Sequence, residues 1–159
     1  MLSQEKFETL ILDPNKFVEG DIIWDKNKRN PPAFEFRVKI VSDESYPLII
    51  KGWYNSFANK LSYAIIHLDF GNRIYGLDLG EDHENPDRVK IGRKHKHRWV
   101  NDYFNDRFIG DRKAYVPDDI TALANDPIGV WEQFCLESKI THNAHNGIMQ
   151  RPQVLALDL

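Results

Sequence analysis

A single cysteine, Cys135, among 159 residues closes no internal disulfide, builds no C-x-x-C metal ribbon and fits a reducing compartment. Its setting, WEQFCLESKI, reads as a buried helix face, so the thiol is expected in the core and not as a nucleophile. No apolar run approaches the ~20 residues that a membrane helix needs. The opening MLSQEKFETL lacks the basic-then-apolar layout of a leader peptide, so a cytoplasmic protein with no membrane partner is expected. There is no glycine-rich phosphate loop and no G-x-S-x-G, which leaves nucleotide-fold and serine-hydrolase readings without support. Nor is there an excess of positive charge. With 21 Lys and Arg against 24 Asp and Glu the formal net charge is −3, so binding to nucleic acid requires a local basic patch.

What is present describes one globular domain spanning 1–159. Hydrophobic residues make up 42 % and charged residues 28 %, a balance that supports a core in a chain of this length. SQEKFETLIL (3–12) reads as a short amphipathic helix capped by Ser3, with Phe7, Leu10 and Ile11 on one side. Period-two alternation then marks strands at 34–42, 47–55, 61–70, 73–80 and 93–100, with short connections and a Gly71-Asn72 turn. Asp118 is a cap for a short helix to Ala124, and Asp126-Pro127 opens a helix to about Lys139. Residues 101–113 fit neither pattern. The tail 141–159 has few apolar partners of its own and is expected to be mobile or to dock elsewhere. The fold class is α+β: an antiparallel meander sheet with N-terminal and C-terminal helices covering one face.

The chemistry gathers in RKHKHRW, 93–99. On a strand, Arg93, His95, His97 and Trp99 share one face, and Lys94, Lys96 and Arg98 take the other. The two imidazoles then lie roughly 6–7 Å apart. That spacing suits a general acid and base bracketing a phosphodiester, or two ligands of one metal ion. His83 and Asp78 stand close upstream. A hairpin joining 73–80 to 93–99 brings one of them beside the pair, where a carboxylate fixes a histidine tautomer. The basic residues Arg93, Lys94, Lys96 and Arg98 are the candidate phosphate contacts. A solvated, basic strand end is the plain alternative.

The run LDLGEDHENPDRVKIGRKHKHRW, then KAYVPDDI and a helix ending FCLESKI, resembles an uncharacterised family of small prokaryotic and prophage proteins. The matching positions are Asp78, His83, Asn85, Pro86, Asp87, His95, His97, Trp99, Ala114, Tyr115, Pro117, Phe134 and Cys135, within about residues 75–140. Two positions depart from the pattern: Arg88 stands where the family has glycine, and Lys113 where it has an aromatic residue. The resemblance implies a toxin-like or mobile-element accessory role and no proven activity.

Three functions follow as expectations. The first is a small cytosolic, ribonuclease-like protein of a toxin or defence module. In it His95 and His97 share acid and base roles without a metal, Asp78 or His83 orients one of them, and RNA and an antitoxin are the partners. The second is a non-enzymatic protein that inhibits or adapts a host protein complex through a sheet edge. The third is a metal-dependent hydrolase built on His83, His95 and His97.

Overall fold

The computed structural model describes residues 1–145 and Met149. Helix α1, Gln4–Leu12, starts where Ser3 Oγ accepts from the Lys6 backbone N–H at 3.1 Å and buries Phe7, Leu10 and Ile11. Its last carbonyls, of Leu10 and Ile11, accept from the buried Lys16 Nζ at 2.9 and 2.7 Å. The strands follow as β1 (Lys16–Glu19), β2 (Asp25–Lys26), β3 (Phe34–Lys39), β4 (Val41–Ser42), β5 (Leu48–Asn55), β6 (Lys60–His67) and β7 (Asn72–Leu79). Then come β8 (Lys94–Arg98), β9 (Val100–Phe104), β10 (Arg107–Gly110) and β11 (Ala114–Tyr115), helix α2 (Pro127–Glu137), and β12 (Ile140–Asn143).

Seven of these strands form one antiparallel sheet in the order β11-β8-β7-β6-β5-β3-β2. Alternation along β3, β5, β6 and β7 puts Phe34, Phe36, Tyr54, Leu61, Tyr63, Leu77 and Leu79 on one face, and that face carries the core. Both helices lie there. Arg98 joins the sheet to α1 by donating to Glu8 at 3.0 Å, with its guanidinium 5.4 Å from the Phe7 ring. Tyr63 packs against Trp131 and Phe134 of α2, with ring centroids 5.3 and 5.8 Å away, and donates to Pro127 O at 2.7 Å. The opposite face, bearing Trp53, Ser62, Asp78, His95 and His97, is free of both helices. No helix among the described residues is long and apolar enough to cross a membrane.

One expectation gives way here. The helix from Asp118 to Ala124 does not form; residues 116–126 are turns and irregular chain. Their polar groups are spent on other partners. Asp119 meets Lys96 at 2.7 Å, Ile120 O accepts from Lys94 Nζ at 2.8 Å, and Gln133 Oε1 accepts from the Thr121 and Ala122 N–H groups. The C-terminal tail begins as a docked strand. β12 runs parallel to β1, with Phe17 opposite Thr141, and His142 bridges Gly20 O at 2.7 Å and Trp131 Nε1 at 3.2 Å. The rest of the tail expectation, beyond residue 145 apart from Met149, lies outside the described residues. The unassigned 101–113 stretch is a hairpin of β9 and β10 turning through Asn105 and Asp106, whose φ values of 49° and 63° match a type I′ turn.

Candidate functional site

The register of β7 on β8 sets Asp78 opposite His95 and Gly76 opposite His97, all on the helix-free face. A bulge in the β6–β7 pairing shifts the alternation of β7, so that Arg73 falls opposite Ile66 and joins this face while Ile74 goes to the core. Gly76 lies under the Arg73 side chain; a Cβ there would sit 2.8 Å from Arg73 Cδ. Arg73 crosses it to donate to Asp78 Oδ2 and Asp111 Oδ2, both at 3.2 Å, and Ser62 Oγ donates to Asp78 Oδ1 at 2.8 Å.

His83 reaches the same point from the loop between β7 and β8. The Arg88 N–H donates to Asn85 O at 2.8 Å and the Asn85 N–H to Val89 O at 2.9 Å, so Asn85-Pro86-Asp87 makes a tight hairpin turn. Arg88 closes it at φ 69°, in the left-handed region where glycine is unstrained, which is the position where the resembled pattern carries glycine. The buried Asn85 carboxamide then binds both backbone groups of Ala114 in β11, donating to its C=O at 2.9 Å and accepting from its N–H at 2.7 Å. This clamp carries His83 over β8. Its ring centroid lies 5.2 Å from that of His95 and 4.6 Å from that of His97, and those two are 5.0 Å apart. The pair is closer than strand spacing alone predicts because the side chains converge.

Hydrogen bonding assigns the tautomers. His95 Nδ1 is 2.9 Å from Gly92 O, His97 Nδ1 is 2.7 Å from Asp111 O, and His83 Nε2 is 2.8 Å from Arg112 O. A carbonyl oxygen only accepts, so each of these nitrogens carries the proton. In the neutral rings the opposite nitrogens are therefore bare lone pairs. Those of His95 and His97 both lie 3.3 Å from Asp78 Oδ2. Two lone pairs facing a carboxylate repel unless positive charge comes between them, either a ring proton or a cation.

The electrostatics agree. Burial works to raise the Asp78 carboxyl's pKa, but the histidine contacts, Arg73 and Ser62 outweigh it and hold the group far below the usual carboxylate range. Burial, with the His97 and His95 rings beside it, lowers the pKa of His83 and favours its neutral, ligand-ready form. A tetrahedral ion with ligand bonds of about 2.0–2.1 Å holds its donor atoms about 3.3 Å apart, the spacing already present between Asp78 Oδ2 and each Nε2. One nitrogen from each of His83, His95 and His97 lies within 4.8 Å of the other two.

Three of the four basic residues of RKHKHRW do not face this cluster. Lys96 is buried on the helix side, ion-paired with Asp119 at 2.7 Å and with Glu137. Lys94 is bound to Ile120 O and Arg98 to Glu8. These three join the sheet to what covers it. Arg93 alone among the four is well exposed, 4.0 Å from Asp82. Sequence reasoning missed Arg73, Ser62 and the clamp of Asn85. Gly76 inside a strand was the signal for a close approach, and Asn-Pro marked only a turn. His67 lies apart from the site, buried against Phe70 at 4.5 Å, and Cys135 is buried as expected.

No curated protein and no solved structure gives a match to this chain. A family model matches residues 2–140, so the loop, the histidines and both helices all fall within it. The chain belongs to that family, a family of unknown function, DUF6978.

Proposed function

We propose that the protein is a metal-dependent hydrolase of phosphodiesters whose centre is a zinc-type ion held by His83, His95 and His97, with Asp78 beside the last two. The observation that carries this reading is the orientation of the rings: each donates one N–H to a backbone carbonyl, and the free nitrogens of His95 and His97 close on one carboxylate oxygen. Histidine metal ligands are commonly held this way, with the second nitrogen tied to a carbonyl or carboxylate. Nε2 of His95 and His97 and Nδ1 of His83 would hold the ion. Imidazole and carboxylate donors suit zinc and neighbouring transition ions. Such an ion lowers the pKa of bound water and polarises a phosphoryl oxygen. Arg73, held between Asp78 and Asp111, keeps the carboxylate aimed at the rings.

One observation favours a second reading, metal-free cleavage by His95 and His97. Asp78, kept anionic, contacts both Nε2 atoms and would stabilise a proton on either ring, the state a general acid needs. A single set of measurements separates the two. Wild type and a His95→Ala/His97→Ala variant, both shown to be folded, are titrated with zinc and incubated with labelled RNA with and without chelator. The metal reading expects zinc binding that the variant loses, and cleavage that chelator stops and zinc restores. Cleavage unaffected by chelator but lost in the variant moves the chemistry to the histidine pair. Neither zinc binding nor cleavage by wild type overturns both and leaves a protein that acts by binding.

A further inference from the structure

A groove of about 540 Å³ opens beside His83, between the Asn85-Pro86-Asp87-Arg88 turn and the β9–β10 hairpin. Its lining includes Arg88, Arg107 and Arg112, with Phe104, Asn105 and the acid Glu84. This is a local concentration of guanidinium groups in a chain whose net charge is −3. Arg112 is spent in part on Phe108 O through Nε at 3.2 Å and Nη2. Arg88 and Arg107, both exposed, have no ion-pair partner among the described residues. Arginine presents several donors in a fixed fork that matches phosphate oxygens.

The hairpin supplies the second half of the grip. Tyr103 and Phe104 are 61 % and 38 % exposed at its tip, large aromatic faces that the core does not use. The arm is anchored at its base, where Phe108 packs on Trp99 at 5.5 Å between ring centroids, and Tyr103 meets Phe108 edge-on at 5.4 Å. Phe104 lies opposite Arg107 in the register, so aromatic face and guanidinium come from neighbouring positions of one hairpin. Unpaired bases stack on such faces while the backbone follows positive charge, a combination that a duplex, with its bases stacked inside, does not exploit.

The groove also leads to the histidines. The Arg112 carbonyl that lines up His83 and the Asn85 clamp that positions it both belong to residues of the groove wall. We propose that this groove binds single-stranded RNA, with Arg88 and Arg107 on phosphates and Phe104 under a base, and delivers the strand to the His83 side of the centre. Binding rests on the groove alone; only the delivery rests on the phosphodiester reading above.

The test is fluorescence anisotropy of a labelled single-stranded RNA of about ten nucleotides, with chelator present, on the full chain. Wild type is compared with Arg88→Ala/Arg107→Ala and with Phe104→Ala. A Lys28→Ala/Arg29→Ala variant, in the exposed loop between β2 and β3 at the sheet edge opposite β11, is the matched charge control, and circular dichroism checks each fold. The expected result is binding to single-stranded RNA that weakens with salt. The arginine pair should lose about tenfold or more and reduce the salt slope by roughly two. Phe104→Ala should lose about five- to a hundredfold, while the control stays near wild type. Equal loss in the control, tighter binding to duplex RNA or to a polyglutamate peptide, or no binding by wild type overturns the proposal. RNA held through the groove but never cut would sink the hydrolase reading and leave this one standing. Cutting that ignores the groove variants would do the reverse.

Discussion

Asn85→Ala is expected to destabilise the protein by about 2–4 kcal/mol, a large effect for a residue in a loop. One carboxamide satisfies both the N–H and the C=O of Ala114, and all three groups are out of water. Removing it leaves a buried donor and a buried acceptor unpartnered at about 1–3 kcal/mol each, offset in part where water enters the space. For a chain of this size that is a fall in Tm of about 5–12 °C. Asn85→Asp sharpens the test, because it keeps the shape. Its carboxylate still accepts from the Ala114 N–H but turns an oxygen toward the Ala114 carbonyl. Its cost should match or exceed that of alanine at pH 7 and shrink in acid, as the introduced carboxyl takes up a proton and donates again. Both substitutions loosen His83 and should weaken zinc binding. Thermal and urea unfolding at pH 7 and 4 with a zinc titration measure all of this. An Asn85→Ala protein within 0.5 kcal/mol of wild type would refute the clamp.

Other perturbations follow from single contacts. Gly80→Ala places a Cβ 2.3 Å from Asn59 O at a φ of 98°, and should cost about 2–4 kcal/mol in urea unfolding. Arg88→Gly relieves a left-handed residue and should stabilise by about 0.5–1 kcal/mol by the same assay, while weakening RNA binding. Burial raises the Cys135 thiol's pKa far above its ordinary value, so iodoacetamide at pH 8 should label the native chain on the order of 10³-fold or more slower than the unfolded one. Zinc affinity should fall in acid, because the ligands must be neutral imidazoles, and isothermal titration at pH 7.5 and 5.5 reads it directly.

The meander from β3 to β8 was legible because each strand alternates and the turns from β5 to β7 are short, so local pattern and long-range pairing agree. Both helices carried their caps in plain view at Ser3 and Asp126. The face shared by His95 and His97 was legible for the same reason. What period two did not reveal was anything that breaks it. The bulge that turns Arg73 outward is a register event between two strands, invisible in either one alone. The basic residues of β8 read as phosphate contacts because charge is legible and partners are not. Asp119, Glu137 and Glu8 arrive from distant elements to meet them. The false helix at 118–124 failed similarly, since its capping signal was real but its backbone groups were claimed by Lys94 and Gln133.

The pairing of β1 with β12 has a consequence for how the chain comes into being. Val18 lies beside His142, and the Asn143 side chain bonds Glu19 across 124 positions of sequence. The meander, by contrast, pairs strands that follow one another in sequence and forms from neighbours as they appear. During synthesis the strand at Lys16–Glu19 therefore waits with one edge open while almost the whole chain is made. Loop closure over that span is the slowest contact to establish and the first to be given back. The histidine cluster, held wholly between residues 62 and 114, can be complete before that edge is sealed.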